Sequence, residues 1–335
     1  MPEFFTENCL TVVPPKSRAY DLDVLMRGYT LCAATEGKSS RTVIIMGTAI
    51  RVFKTFLENN NRSIDVHNIS PLEIRAFILY LQQVQCFTNH KFTGPQTKHL
   101  SGHTINTYMR SLRAFWSWMM REEIITVNPF TKVRIPKAPE VIIATYSTEQ
   151  LDKLLKCIDT LTRSGFRDWT IILLLLDTGM RVSELTGLKL EVIDLEAGML
   201  KVTGKGKKQR TVPFGTRVQK ALWKYIQRYR HQPCNSLCTY LLLNQNGDPY
   251  NVDRVRNMIY WRAKNAGIHG VRSSPHTFRH TFAISYLRNG GDVFSLQKIL
   301  GHSSLEIVRM YVNLAEVDIK AAHRRFSPAD NLQIR

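Results

Sequence analysis

The chain has 335 residues, is 44% hydrophobic, and carries 46 Lys+Arg against 27 Asp+Glu, a formal charge of +19. That length and hydrophobic fraction exclude a disordered chain and suffice for two domains with ordinary cores. Residues 1–140 hold 17 basic and 11 acidic side chains and residues 141–335 hold 29 and 16, so a charged tail is excluded and both halves are expected to face one polyanion.

Four amphipathic helices are predicted first, forming a small bundle. Leu22, Leu25, Met26 and Tyr29 share one helical face, as do Ile45, Ala49, Val52 and Phe56. Ser70 reads as an N-cap, with Pro71 at the first helical position and Glu73 closing a capping box. Ile74, Phe77, Ile78, Leu81 and Val84 form the stripe of that helix, and Ile105, Tyr108, Leu112, Phe115, Trp116 and Met119 that of the fourth. Between these two, Phe87 to His103 reads as an exposed loop. From Asn128 to Ala144 the composition shifts: Pro129, Pro136 and Pro139 predict an extended segment, and Lys132, Arg134 and Lys137 make it basic. Residues 128–144 are therefore the expected linker between an N-terminal helical domain, 1–127, and a second domain, 145–335.

In the second domain Ser147 and Gln150 predict a capping box ahead of Leu151, Leu154, Leu155 and Ile158. A buried helix around Ile171–Leu176 runs into Thr178-Gly179-Met180-Arg181, and a short helix spans Val182–Leu188. Met199–Phe214 alternates and turns at Gly204-Lys205-Gly206, which predicts a β-hairpin. Helices resume at Gln219–Arg230, Val252–Ala266, Pro275–Arg288 and Val293–Leu300, and Ser303 and Glu306 cap a last one holding Tyr311. The expected class is mainly α with a small β-hairpin in the second domain.

Four places carry candidate chemistry. Arg181 ends an apolar helix at Thr-Gly, which sets a guanidinium at the rim of a core, with Glu184 one turn on. Thr203 to Arg210 is a basic hairpin tip in which Lys207, Lys208 and Arg210 are expected to touch phosphates; it lacks the Gly-x4-Gly-Lys-Ser/Thr spacing of a nucleotide-binding loop, which excludes an NTPase. His276, Arg279 and His280 stand three and four residues apart, on one helical face. Tyr311, one of 12 tyrosines, follows His302 of Leu300-Gly301-His302-Ser303 by nine residues. The six cysteines, Cys9, Cys32, Cys86, Cys157, Cys234 and Cys238, form no disulfide or zinc-ligand pattern and read as thiols in a reducing cytoplasm. No signal peptide is expected, and Ile171–Leu176 is too short to cross a membrane.

Taken in order, Thr-Gly-x-Arg with Val-Ser-Glu-Leu, Gly-Lys-Gly-x-Lys-x-Arg, His-x-x-Arg-His, Leu-Gly-His-Ser and the Tyr nine residues beyond that His resemble the tyrosine recombinase (phage integrase) family, including its Xer-type and mobile-element members. The resemblance covers about Tyr146 to Arg325 and is looser before it. It implies a two-domain DNA clamp in which Tyr311 is the nucleophile, leaving a 3′-phosphotyrosyl bond. Arg181 and Arg279 would hold the non-bridging oxygens, Lys205 would protonate the leaving 5′-oxygen, His276 would assist proton transfer at the Tyr hydroxyl and His302 would donate to a phosphate oxygen. Glu184 and His280 would orient these groups. No cofactor and no metal are implied. The expected partners are duplex DNA bearing specific recombination sites, a homotetramer on that DNA, and a directionality factor; no membrane is expected, and the location would be the cytoplasm at the nucleoid.

Further DNA-binding candidates are Arg110 and Arg113 on the fourth helix and Lys132, Arg134 and Lys137 in the linker. The tail Asp318–Pro328, with Lys320, His323, Arg324 and Arg325, reads equally as a segment docked on a neighbour and as a basic terminus; Ala322–Pro328 looks like tails of mobile-element recombinases. The short run before the first helix leaves no expectation of an added arm-binding domain. Competing readings are Xer-type dimer resolution, a type IB topoisomerase that relaxes DNA alone, a catalytically silent DNA-binding regulator on the same scaffold, and a nuclease, for which no water-activating site is evident.

Overall fold

The computed structural model describes residues 20–85, 97, 99–137, 144–204, 208–301, 305–315, 323, 327 and 329. The chain divides into two compact units, Met1–Val141 and Ile142–Arg335.

The first unit is built from α1 (Leu22–Thr35), α2 (Ser40–Asn59), α3 (Pro71–Gln83) and α4 (Gly102–Arg121). The last three begin where side chains dictate. Ser39 and Ser101 accept from the amides of Thr42 and Thr104, and Ser70 and Glu73 make the expected capping box. The core is aromatic: Phe53 meets Phe77 at 4.9 Å between centroids, and Trp116 meets Phe130 at 5.6 Å. The buried stripe of α2 is Ala49, Ile50, Phe53, Phe56 and Leu57. Val52 and Ile45 are only half-buried, so the face is rotated from the expected one. The helix after the predicted loop starts at Gly102, within that loop's last two residues.

Residues 128–133 are not a free tether. Asn128 caps a short 3-10 turn, Pro129–Lys132, and Phe130 and Val133 are buried in the bundle core. Arg75 donates to the Lys132 carbonyl and Arg113 to that of Val133. Two apolar side chains inside a proline-containing stretch outweigh its extended character. Residues 138–143 lie outside the described residues.

The second unit places α6 (Arg163–Thr178) at its centre, buried from Ile171 to Leu175 and packed against α8 (Thr216–Lys224) and α10 (Pro275–Arg288). Around it lie α5 (Thr148–Lys156), α7 (Val182–Thr186), α9 (Val252–Asn265), α11 (Val293–Leu300) and α12 (Leu305–Ala315). The predicted hairpin is present as β2 (Met199–Thr203) and β3 (Gln209–Pro213), with Val202 opposite Arg210; β1 (Ile193–Asp194), not anticipated, pairs with β2 to give an antiparallel sheet in the order β1-β2-β3. The helix α8 runs into a π-helical turn at Tyr225–Tyr229. An ion-pair network also escaped the sequence: Arg167 of α6 and Arg262 of α9 both bind the Asp168 carboxylate, at 2.9 and 2.7 Å, and Arg262 fastens α9 onto α6. No helix among the described residues is long and apolar enough to cross a membrane.

Candidate active site

The site grows from the end of α6. Thr178, fully buried, bonds back to the Leu174 carbonyl, and Gly179 closes the helix in the left-handed region at φ 58°. A Cβ at Gly179 would lie 2.3 Å from Phe282 Cδ1 and 2.8 Å from Leu300 Cδ2, so glycine is required by both backbone and packing. This wedge brings α6, α10 and α11 together and delivers Arg181 to the start of α7.

Glu184 then fixes Arg181. Its Oε2 accepts from the Arg181 amide at 2.8 Å and its Oε1 from Arg181 Nη1 at 2.9 Å. The same carboxylate receives Arg210 of β3, Nη1 on Oε1 at 2.7 Å and Nη2 on Oε2 at 2.8 Å. Burial pushes the Glu184 carboxyl upward, but the Arg210 guanidinium, the Arg181 amide and the Arg181 side chain outweigh it and hold the group below the usual carboxylate range.

The helix α10 is capped by Ser274, with Pro275 in its first turn, and presents His276, Arg279 and His280. Arg279 is buried; its Nη1 donates to the Gly179 carbonyl at 2.7 Å and its Nη2 to that of Leu300 at 2.8 Å. Burial, then the nearby Arg181 charge, lower its pKa to about 10, against the opposing effects of Tyr311 and Glu184; it stays charged at neutral pH. Arg181 Nη2 lies 3.4 Å from the Gly301 carbonyl, so the two guanidinium groups converge on consecutive carbonyls at the end of α11.

Tyr311 of α12 is buried, and its hydroxyl lies 2.8 Å from His280 Nδ1. Burial raises the phenol pKa, while Arg279 and Arg181 pull it down. His280 is held below the ordinary imidazole range by burial, then by His276 and Arg279, which favours the neutral ring. His276 is more exposed than Arg279 or His280. Its pKa is also lowered, by burial of part of the ring and by Arg279, Arg256, Arg181 and Arg272. The sequence expectation sets His276 at the Tyr hydroxyl and His280 in support; in this conformation one helical turn places His280 at the phenol.

Arg181, Glu184, Arg279, His280 and Tyr311 are therefore brought together from α6–α7, α10 and α12. Lys205, Lys207 and His302 lie outside the described residues, as does the expected cap Ser303. Lys208 is exposed beside the hairpin turn, where its carbonyl accepts from the Gly204 amide at 2.8 Å. For Arg210 the structure corrects the expectation. Instead of reaching out to phosphates, it turns inward, with only 15% of its side chain exposed, onto Glu184 and the Ile299 carbonyl. In the first unit Arg110, Arg113, Lys132, Arg134 and Lys137 are exposed, Arg113 with one donor committed to Val133. Apart from His323 and Ser327, the tail 318–328 falls outside the described residues.

The phage integrase family model matches residues 145–317, and the phage integrase SAM-like domain matches residues 29–135. The chain belongs to the phage integrase family. Among its relatives within this family of tyrosine recombinases, tyrosine recombinase XerC of Oceanobacillus iheyensis is 30% identical over 296 residues, covering 88% of this chain and 92% of that protein. Tyrosine recombinase XerD of Staphylococcus saprophyticus is 31% identical over 310 residues, covering 92% and 99%. The integrase fold of the present chain is shared by the Tn1549 transposon integrase in complex with transposon right end DNA, at a TM-score of 0.69 and 20% identity, covering 90% of this chain and 99% of that one. XerH bound to a palindromic difH substrate gives a TM-score of 0.67 at 19% identity, covering 91% and 85%.

Proposed function

We propose that this tyrosine recombinase cleaves and rejoins duplex DNA at specific sites through a covalent bond to Tyr311. The observation that carries the reading is the convergence of two guanidinium groups, Arg181 and Arg279, on the end of α11, within electrostatic reach of the Tyr311 phenol. Tyr311 Oη attacks phosphorus; the bond from phosphorus to the 5′-oxygen breaks, leaving a 3′-phosphotyrosyl linkage and a 5′-hydroxyl. The phenolic proton passes to an imidazole, for which His280 stands at hand, and Lys205 supplies the proton that the leaving oxygen takes. The two forks hold the non-bridging oxygens where negative charge grows, with His276 and His302 as further donors. The phosphodiester energy is kept in the new bond, so a second 5′-hydroxyl reverses the step.

Basic side chains in both units, Arg110, Arg113, Lys132, Arg134 and Lys137 in the first and Lys207 and Lys208 in the second, make the contacts with the DNA backbone. The structures of the Tn1549 integrase with transposon right end DNA and of XerH with difH substrate support this partner. The assembly is a homotetramer joining two sites, with a directionality factor choosing the outcome. The element served is a mobile one, by integration, excision or transposition, a reading supported by the resemblance of Ala322–Pro328 to tails of mobile-element recombinases. Dimer resolution is the second reading, favoured by similarity to XerC and XerD over nearly their whole length.

The test is a nicked suicide duplex drawn from the DNA flanking the gene, alongside one carrying the host chromosome's dimer-resolution site. Covalent adduct on the first alone supports the mobile-element role, and adduct on the second alone supports resolution. Absence of adduct on both overturns strand transfer at these sites.

A further inference from the structure

We infer that Arg210 is a positioning residue for Arg181: by binding both oxygens of Glu184 it keeps that carboxylate from drawing in the whole Arg181 fork, and so leaves Arg181 donors available to the scissile phosphate. The inference rests on the strand-transfer reading above.

The geometry is asymmetric. Glu184 meets Arg210 edge to edge, through both Nη atoms, but meets the Arg181 guanidinium through Nη1 alone. A carboxylate accommodates one such edge-to-edge pair, so Arg210 excludes a second one with Arg181. The exposures agree: the Glu184 side chain is 1% exposed and that of Arg210 15%, whereas Arg181 keeps 34%. Without Arg210, a buried carboxylate would be left with one guanidinium in reach, and its strongest arrangement would be to take both Arg181 Nη atoms.

A second set of contacts ties Arg210 to the point where the two forks meet. Its Nε donates to the Ile299 carbonyl at 2.7 Å, and its side chain lies flat against Gly301, where an added Cβ would stand 2.9 Å from Arg210 Cδ. Gly301 adopts φ 64° and its carbonyl faces Arg181 Nη2, while the preceding carbonyl, Leu300, holds Arg279. One side chain on β3 thus sets the partner of Arg181 and supports the helix end that both arginines share. Lysine at this position would keep the charge but donate from a single point, and could not cover two carboxylate oxygens and a carbonyl together.

The experiment is a double-mutant cycle on single-turnover adduct formation with the nicked duplex, using Arg210→Lys, Arg181→Lys and the pair, with Arg210→Gln run in parallel. Rate constants are read from the time course, so a lower folded fraction reduces the amplitude and leaves the rate unchanged. The expected result is a loss of about 10- to 100-fold for Arg210→Lys in the native background. In the Arg181→Lys background the further loss should be no more than about twofold, with DNA affinity unchanged throughout. Losses that multiply in the double variant would overturn the inference. So would weaker DNA binding with a salt slope shallower by about one, the mark of a phosphate contact. If the unsubstituted chain forms no adduct, strand transfer itself falls, a failure distinct from either of these.

Discussion

The Tyr311 hydroxyl and His280 Nδ1 stand 2.8 Å apart, joining α12 to the helix that also carries Arg279. The phenol is buried and its pKa raised, so it needs a base in contact before it can attack phosphorus. Replacing Tyr311 by Phe removes the nucleophile and one hydrogen bond, at a stability cost of about 1 kcal/mol. The variant should bind its site with native affinity and give no covalent adduct on a denaturing gel. An adduct from Tyr311→Phe would refute the assignment of the nucleophile.

Arg181→Lys tests the phosphate clamp. The substitution keeps a positive charge and loses the planar fork that meets Glu184 and the Gly301 carbonyl at once. Removing one such preorganised donor set costs on the order of 10²- to 10³-fold in rate. Single-turnover cleavage should fall by that much with DNA affinity retained; near-native cleavage would show that this arginine does not hold the reacting phosphate.

Much of this site was legible in the chain, and the misreadings have particular causes. Thr178-Gly179 ahead of Arg181 announces a helix end because glycine best suits a left-handed closing residue, and the wedge between Phe282 and Leu300 adds a packing requirement of its own. The run of cations Lys207, Lys208 and Arg210 suggests a solvated tip and hides the inward turn of Arg210. The strand period carried the opposite signal. Arg210 shares parity with Val212 on the inward face of β3, and buried Phe214 follows the strand at the same parity. The choice between His276 and His280 was beyond the sequence, since both lie on one helical face. It depends on where α12, some thirty residues on, sets its tyrosine. Phe130 and Val133 were read through the prolines around them, and only a bundle core with room for both shows why the segment packs.

Gly179→Ala should be costly to the fold and the site together. The methyl group meets Phe282 at 2.3 Å and the backbone holds φ 58°, so overpacking and left-handed strain act at once. Together these amount to about 2–4 kcal/mol, measurable as a lowered midpoint in urea unfolding of the second unit's signal. An unchanged midpoint would mean that α6, α10 and α11 are less tightly wedged than the geometry requires.

Binding should depend steeply on salt. Basic side chains in both units that neutralise several phosphates release condensed counterions, so affinity is expected to drop on the order of 10³-fold or more between about 50 and 200 mM salt. Fluorescence anisotropy on a labelled site over that range checks it. A flat response would mean that the surplus of 46 basic over 27 acidic residues does not meet DNA.

His280 makes stability depend on pH in a definite direction. The folded chain holds this imidazole, and His276 beside it, below the ordinary pKa of about 6.5 that each has when unfolded. Between those values the unfolded chain binds more protons than the folded one, so stability rises with pH. Their neutral, packed state contributes fully above about pH 6.5 and is lost as the pH falls through the lower folded values. The thermal midpoint should therefore drop as the pH is lowered from about 7.5 to 5.5, and His280→Gln, which cannot titrate, should make that drop shallower. Equal slopes in the two proteins would mean that His280 is as easily protonated in the fold as in water, and could not stand beside Tyr311 as a neutral proton acceptor.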